Sequence, residues 1–99
     1  MDTLQIIAEP RRRQILGMVW EREMAASDIA DQFDLTFGAV SQHLAVLREA
    51  DLVRVRKDGN RRLYSVNNDT IGPYRQILET MWSDTLSRLA KAIEEPESD

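Results

Sequence analysis

Ser41, Gln42 and Arg48 carry the side chains best suited to chemistry in this chain, and that chemistry would be hydrogen bonding through a hydroxyl, an amide and a guanidinium. All three fall between Leu35 and Val53. A Gln offers a donor and an acceptor that match an adenine edge, and a Ser hydroxyl serves either base type. Val40, Leu44 and Leu47 recur in the same stretch at helical spacing and need a core. Phe37, Gly38, Ser41, Gln42 and Arg48 lie largely off that stripe, where small residues permit close approach to a groove. Taken alone, the segment reads equally well as an ordinary surface helix. Catalysis is excluded on composition. One His, no Cys, no glycine-rich phosphate loop and no paired buried carboxylates leave no catalytic constellation.

The flanking elements decide how such a helix would be held. Thr36 is a good N-cap for it. Before it, Ser27 or a residue just ahead starts a short helix, with Asp28 in its first turn and Ile29, Ala30 and Phe33 facing inward. Asp34-Leu35 is a tight link, so the two helices form a helix-turn-helix candidate. Asp51 stands where the helix needs a left-handed residue, a place usually taken by Gly. The period then changes to two. Pairing Val55 with Tyr64 and Val53 with Val66 centres a hairpin on Gly59-Asn60, residue types that accept positive φ; centring on Asp58-Gly59 also suits turn chemistry but pairs Val55 with Arg62. Lys57, Arg61 and Arg62 gather near its tip. Such arms suit phosphate contact, although an edge hairpin kept soluble by charge has the same composition.

The ends of the chain read as support. Leu4, Ile7 and Ala8 suggest a first helix. Pro10 opens a second behind a mediocre cap, Glu9, with Ile15, Leu16, Val19 and Trp20 on one side. Glu21-Arg22-Glu23 is a polar link. Asp69 or Thr70 caps a last helix that tolerates Pro73 near its start and would run about 37 Å from residue 70 to 94. Its apolar surface exceeds what one face requires, which points to a second copy of the chain. Residues 1–94 form one domain, and the acidic residues 95–99 a disordered tail.

Ninety-nine residues bury a modest core. Without cysteine, disulfides and thiolate metal sites are impossible. The start lacks the basic region and apolar run of a secretory signal, and no apolar run approaches the roughly 18 residues of a membrane span. A cytoplasmic protein is expected. The net charge of −4 argues against nucleic acid, but residues 36–66 carry six basic residues against three acidic ones. DNA responds to that local patch rather than to the total.

In this order the elements resemble the ArsR-type winged-helix repressors of bacteria and archaea. The resemblance covers residues 4–93. Its specific anchor is Val40 to Val53, similar to the family's "VSxHLxxLREAGLV". Ala8 to Leu16 is similar to "ADPTRRxIL", and Val55 to Tyr64 to the basic arm "R-x-G-R…Y". Glu23 to Ile29 aligns with the metal-sensing "ELCVCDL", whose two thiols fall at Ala25 and Ser27. The family's second metal site uses His and carboxylates on the last helix. Here that helix has Asp69, Glu79 and Asp84 but no His. The resemblance therefore implies a non-metal-sensing branch, with no metal and no cofactor. Asp51 in place of the usual Gly implies a slightly strained helix end.

The expected fold is mainly α with a small β-hairpin, a winged helix-turn-helix with a long C-terminal dimerisation helix. The expected function is a homodimeric repressor on double-stranded DNA. Thr36, Phe37, Gly38, Ala39, Ser41, Gln42, His43, Arg48, Arg56, Lys57, Arg61 and Arg62 form the expected DNA surface. Within it Phe37 either faces bases or packs inside, and His43 serves a phosphate or its own helix. Of Arg11, Arg12 and Arg13, Arg13 or Arg12 is a structural ion-pair partner and the other two are phosphate contacts. Leu4, Ile7, Tyr74, Leu78, Met81, Trp82, Leu86, Leu89 and Ile93 form the expected dimer face. Two alternatives stay open: a ligand- or metal-responsive regulator with an unrecognised sensor site, and a winged-helix module that binds protein.

Overall fold

Helix ends are set locally and the core assembles around them. In the computed structural model, which describes the backbone of residues 2–94 and the side chains of residues 2–84, the first helix, α1 (Thr3–Ala8), opens on an Asp2–Gln5 capping box. Glu9 then both ends α1 and caps α2 (Pro10–Met18), its carboxylate accepting from the Arg12 N–H at 3.0 Å. Arg12 and Arg13 fold back on α1: Arg12 Nε donates to the Ile6 carbonyl at 2.8 Å, and Arg13 donates to those of Ile7 and Ala8. Both are structural, and Arg11 is the exposed member of the three.

The link after α2 contains a strand that local pattern did not disclose. Met24–Ala25 forms β1, which pairs antiparallel with the later strand β3 (Arg61–Val66), Met24 opposite Tyr64. Two residues are too few for a period, and only the partner strand makes them one. Next come α3 (Ala26–Ala30), α4 (Phe37–Glu49) and β2 (Val53–Asp58). The sheet order is β1-β3-β2. The β2–β3 register pairs Val53 with Val66 and Val55 with Tyr64, as the alternation predicted. At the tip Gly59 takes φ 63°, whereas Asn60 does not enter the left-handed region.

Asp51 does adopt φ 63°. The Leu52 N–H reaches back to the Leu47 carbonyl at 2.9 Å and the Asp51 N–H to that of Arg48 at 3.0 Å. This is the paired closure of a helix ending in a left-handed residue. The turn is fastened from outside by Asn67, 4% exposed. Its Nδ2 donates to the Asp51 carbonyl at 2.9 Å, and its backbone N–H donates to Leu52.

Asn67 also caps a four-residue helix, α5 (Asn68–Ile71), through the Asp69 N–H. A 3-10 turn (Gly72–Tyr74) follows, and only then α6 (Arg75–Glu94). The last helix therefore starts later than the cap at Asp69 or Thr70 predicted, and its 20 residues span about 30 Å. Pro73 lacks an N–H, which suits the turn between two helices. Among the described residues no helix is long and apolar enough to cross a membrane.

Ile15, Leu16, Val19, Ile29, Val40, Leu44, Leu47, Leu52, Ile71 and Leu78 are sealed in one core. Ile7 and Leu78, expected at a dimer face, belong to this core and are turned away from any partner. Trp82 is half-buried against its own chain. Its ring meets that of Trp20 edge-on at 4.7 Å between centroids and rests over Gly17. Arg75 stacks over Trp20 and pairs with Glu79, whose carboxylate accepts from the Trp20 indole N–H at 2.9 Å. This knot fixes where α6 leaves the body. The side chains of Leu86, Leu89 and Ile93, and the whole of residues 95–99, lie outside the described residues.

Candidate nucleic-acid interface

α4 is built to show one face. Thr36 caps it, its hydroxyl accepting from the Ala39 N–H at 3.1 Å. Val40, Leu44 and Leu47 anchor the opposite side in the core. Phe37, Gly38, Ser41, Gln42, Ala45, Arg48 and Glu49 are left exposed, and Ala39 is half-buried. Phe37 is 56% exposed, so it does not pack inside. His43 departs from expectation. It sits on the buried stripe, three residues after Val40 and four before Leu47, and its Nδ1 lies 3.8 Å from a Glu9 carboxylate oxygen. It is half-buried and faces the start of α2.

The hairpin lies beside that face. A cleft of about 380 Å³ separates them, lined by Phe37 and Ser41 from α4, by Asn60, Arg61, Arg62 and Tyr64 from the hairpin, and by Ala25, Ala26 and Ser27 below. A second cleft, about 440 Å³, runs along the other side of the contact between Ala45, Arg48 and Glu49 and the same Ser41, Arg62 and Tyr64. Ser41, Arg62 and Tyr64 thus border both. The element missed in the sequence, β1, forms the cleft floor through Ala25. Asn67 is the missed positioning residue, because it ties the end of β3 to the end of α4. Its only sequence signal is the turn-forming run Asn67-Asn68-Asp69-Thr70.

The basic residues of the hairpin are not equivalent. Arg56 Nε donates to Glu23 at 2.7 Å, Arg61 pairs with Asp28 at 3.0 Å, and Arg54 with Asp69 at 2.7 Å. The Arg56 hydrogen bond holds the Glu23 carboxyl below its ordinary value, and Glu23 in turn raises Arg56. All of these groups are solvated, so the pairs are weak and exchange readily. Lys57, Arg62 and Arg48 have no ion pair among the described residues. Among the described residues the hairpin therefore holds two unpaired cations, Lys57 and Arg62, and three shared ones, Arg54, Arg56 and Arg61. Ala25 is buried in the sheet and Ser27 is exposed on α3. Among the described residues no three His, Cys, Asp or Glu side chains group together as a metal would need.

A capped helix with a polar and small-residue face, following a second short helix and flanked by a basic hairpin within a three-stranded sheet, is the winged helix-turn-helix. Residues 9–55 match the family of bacterial regulatory proteins known as the arsR family. The chain is 30% identical over 70 residues to the transcriptional repressor SdpR of Bacillus subtilis, a match covering 71% of this chain and 78% of that protein. This chain belongs to the ArsR family. It is 37% identical over 71 residues to the HTH-type transcriptional regulator KmtR of Mycobacterium tuberculosis; that match covers 72% of this chain but spans only 55% of KmtR. Among solved structures, a possible transcriptional regulator for arsenical resistance superposes with a TM-score of 0.71 at 35% identity, covering 98% of this chain and 99% of its own. The ArsR-family chain is accordingly a DNA-binding transcriptional regulator and not an enzyme.

Proposed function

We propose that this ArsR-family regulator acts as a homodimeric repressor on a partly palindromic operator. Two α4 helices enter successive major grooves, roughly 34–36 Å apart along the duplex. The observation that carries this reading is the face of α4. Every large aliphatic side chain of its inner stripe is buried, and the exposed face offers Ser41, Gln42 and Arg48 as hydrogen-bond partners, with Phe37, Gly38, Ala45 and Glu49 beside them and the unpaired Arg62 across the cleft. Ser41 and Gln42 read base edges. Arg48, Lys57 and Arg62 hold phosphates, joined by Arg56 and Arg61 once they exchange their carboxylate partners. The Thr36 hydroxyl stays with its cap. Repressive sign is supported by the designation of SdpR. A dimer is supported by Leu4, Ile77 and Met81, which are 58%, 52% and 39% exposed in the single chain. Such side chains are stabilised by burial against a second copy. Release from DNA does not use a thiolate, since the chain has no cysteine.

Gln42→Ala tests the base-reading role. In fluorescence anisotropy it should lose about 1–3 kcal/mol on a selected site and relax preference at one base pair. Equal weakening on random DNA would assign Gln42 to the backbone.

A further inference from the structure

Two neighbours at the start of α4 have no explanation within the fold. Phe37 is the largest aromatic surface left in solvent near the interface, 56% exposed. Gly38 follows it inside the helix. Its φ is not left-handed, and a Cβ built there would meet only the Thr36 hydroxyl, at 3.9 Å, an ordinary contact. The chain thus carries a glycine where any small side chain would fit, despite the entropic cost of Gly in a helix. Gly17 is different, because the Trp82 ring rests on it at 3.6 Å. A glycine whose open side faces solvent leaves room for something outside the chain.

Resting on the reading of α4 as the DNA helix, we propose that Phe37 and Gly38 act as a pair that reads thymine. The Phe37 ring packs on the C5 methyl of a thymine in the major groove, and Gly38 gives the clearance that brings the first turn of α4 against the duplex. An exposed aromatic ring matches that methyl, the one apolar group that a base pair presents in the major groove. The surroundings commit the pair to DNA over a protein partner. Phe37 borders the same cleft as Ser41, Asn60, Arg61 and Arg62, and Arg62 has no carboxylate partner among the described residues. The exposed aliphatic residues Ile77 and Met81 lie on a different element, α6.

The test starts from a duplex selected by the full-length wild-type protein out of a random pool. Each thymine is then replaced in turn by deoxyuridine, which removes only the methyl. Wild type should lose about fourfold at one thymine per half-site, the worth of one buried methyl. Phe37→Ala should bind the substituted and unsubstituted duplexes alike. Gly38→Ala should keep or raise the thermal midpoint while lowering affinity for the selected duplex at least tenfold. Wild type indifferent to every methyl, Phe37→Ala keeping the same methyl penalty, or Gly38→Ala binding undiminished each overturns the pairing. The two levels separate cleanly. Failure to select any duplex sinks the DNA reading itself, whereas selection of one without methyl dependence removes only the role of Phe37 and Gly38.

Discussion

α4 and α6 are both amphipathic helices on one core, and they differ in the aliphatic surface they leave in water. α4 buries Val40, Leu44 and Leu47 and exposes hydroxyl, amide and guanidinium groups. α6 buries Leu78 and leaves Ile77 and Met81 outside, with Leu4 of α1 also bare. Hydrogen-bonding groups left in water can be exchanged for base and phosphate partners. Aliphatic groups left in water gain only from being covered. The difference supports the proposal that α4 meets nucleic acid and α6 a second copy of the chain. It also shows why Trp82 is a poor probe of assembly: its ring is held by Trp20 and Gly17, so replacing it damages the chain itself.

The sharpest way to break the comparison is to give α6 the character of α4. Ile77→Glu combined with Met81→Glu should convert a dimer to a folded monomer in sedimentation. Operator affinity should then fall at least about a hundredfold, since one half-site must bind without the other. A double variant that stays dimeric would place the interface elsewhere. A smaller effect separates the free cations from the shared ones. Arg62→Ala should reduce the slope of log K against log salt by about one. Arg61→Ala should reduce it by less, because Asp28, freed by the exchange, gathers a cation of its own. Equal slopes would show that the carboxylate pairing has no bearing on DNA. The smallest effect concerns Glu23. Its carboxyl is held below the ordinary value by the Arg56 hydrogen bond. The pair therefore contributes stability above the ordinary carboxylate value and loses it as pH falls through the lowered one. Glu23→Gln should make acid unfolding by circular dichroism less pH-dependent between about pH 5 and 2, with little change near neutrality.

Much of the site was legible because its signals are local. A Thr cap, a stripe at helical spacing and an alternation centred on Gly59-Asn60 each depend on residues a few positions apart. So does the left-handed Asp51, which structure confirms at φ 63°. What failed to show depended on distant partners. Met24–Ala25 is a strand only because Tyr64 and Leu63 lie opposite. His43 was expected on the DNA surface and lies half-buried, near Glu9, 34 residues earlier. Ile77 was absent from the expected dimer face, which took Leu78 instead. Periodicity marks both as apolar and does not tell which side of α6 the body covers.

Local signals in the sequence specified the winged helix-turn-helix and the helix here proposed to read DNA, because caps, period and turn chemistry act between near neighbours in the chain. Tertiary structure alone decided which charges are free and which apolar groups remain bare. Arg56 and Arg62 look alike in the sequence, yet one is held by Glu23, 33 residues away, and the other borders the groove without a carboxylate. Those assignments depend on what the fold brings within a hydrogen-bond length, and no spacing along the chain encodes that distance.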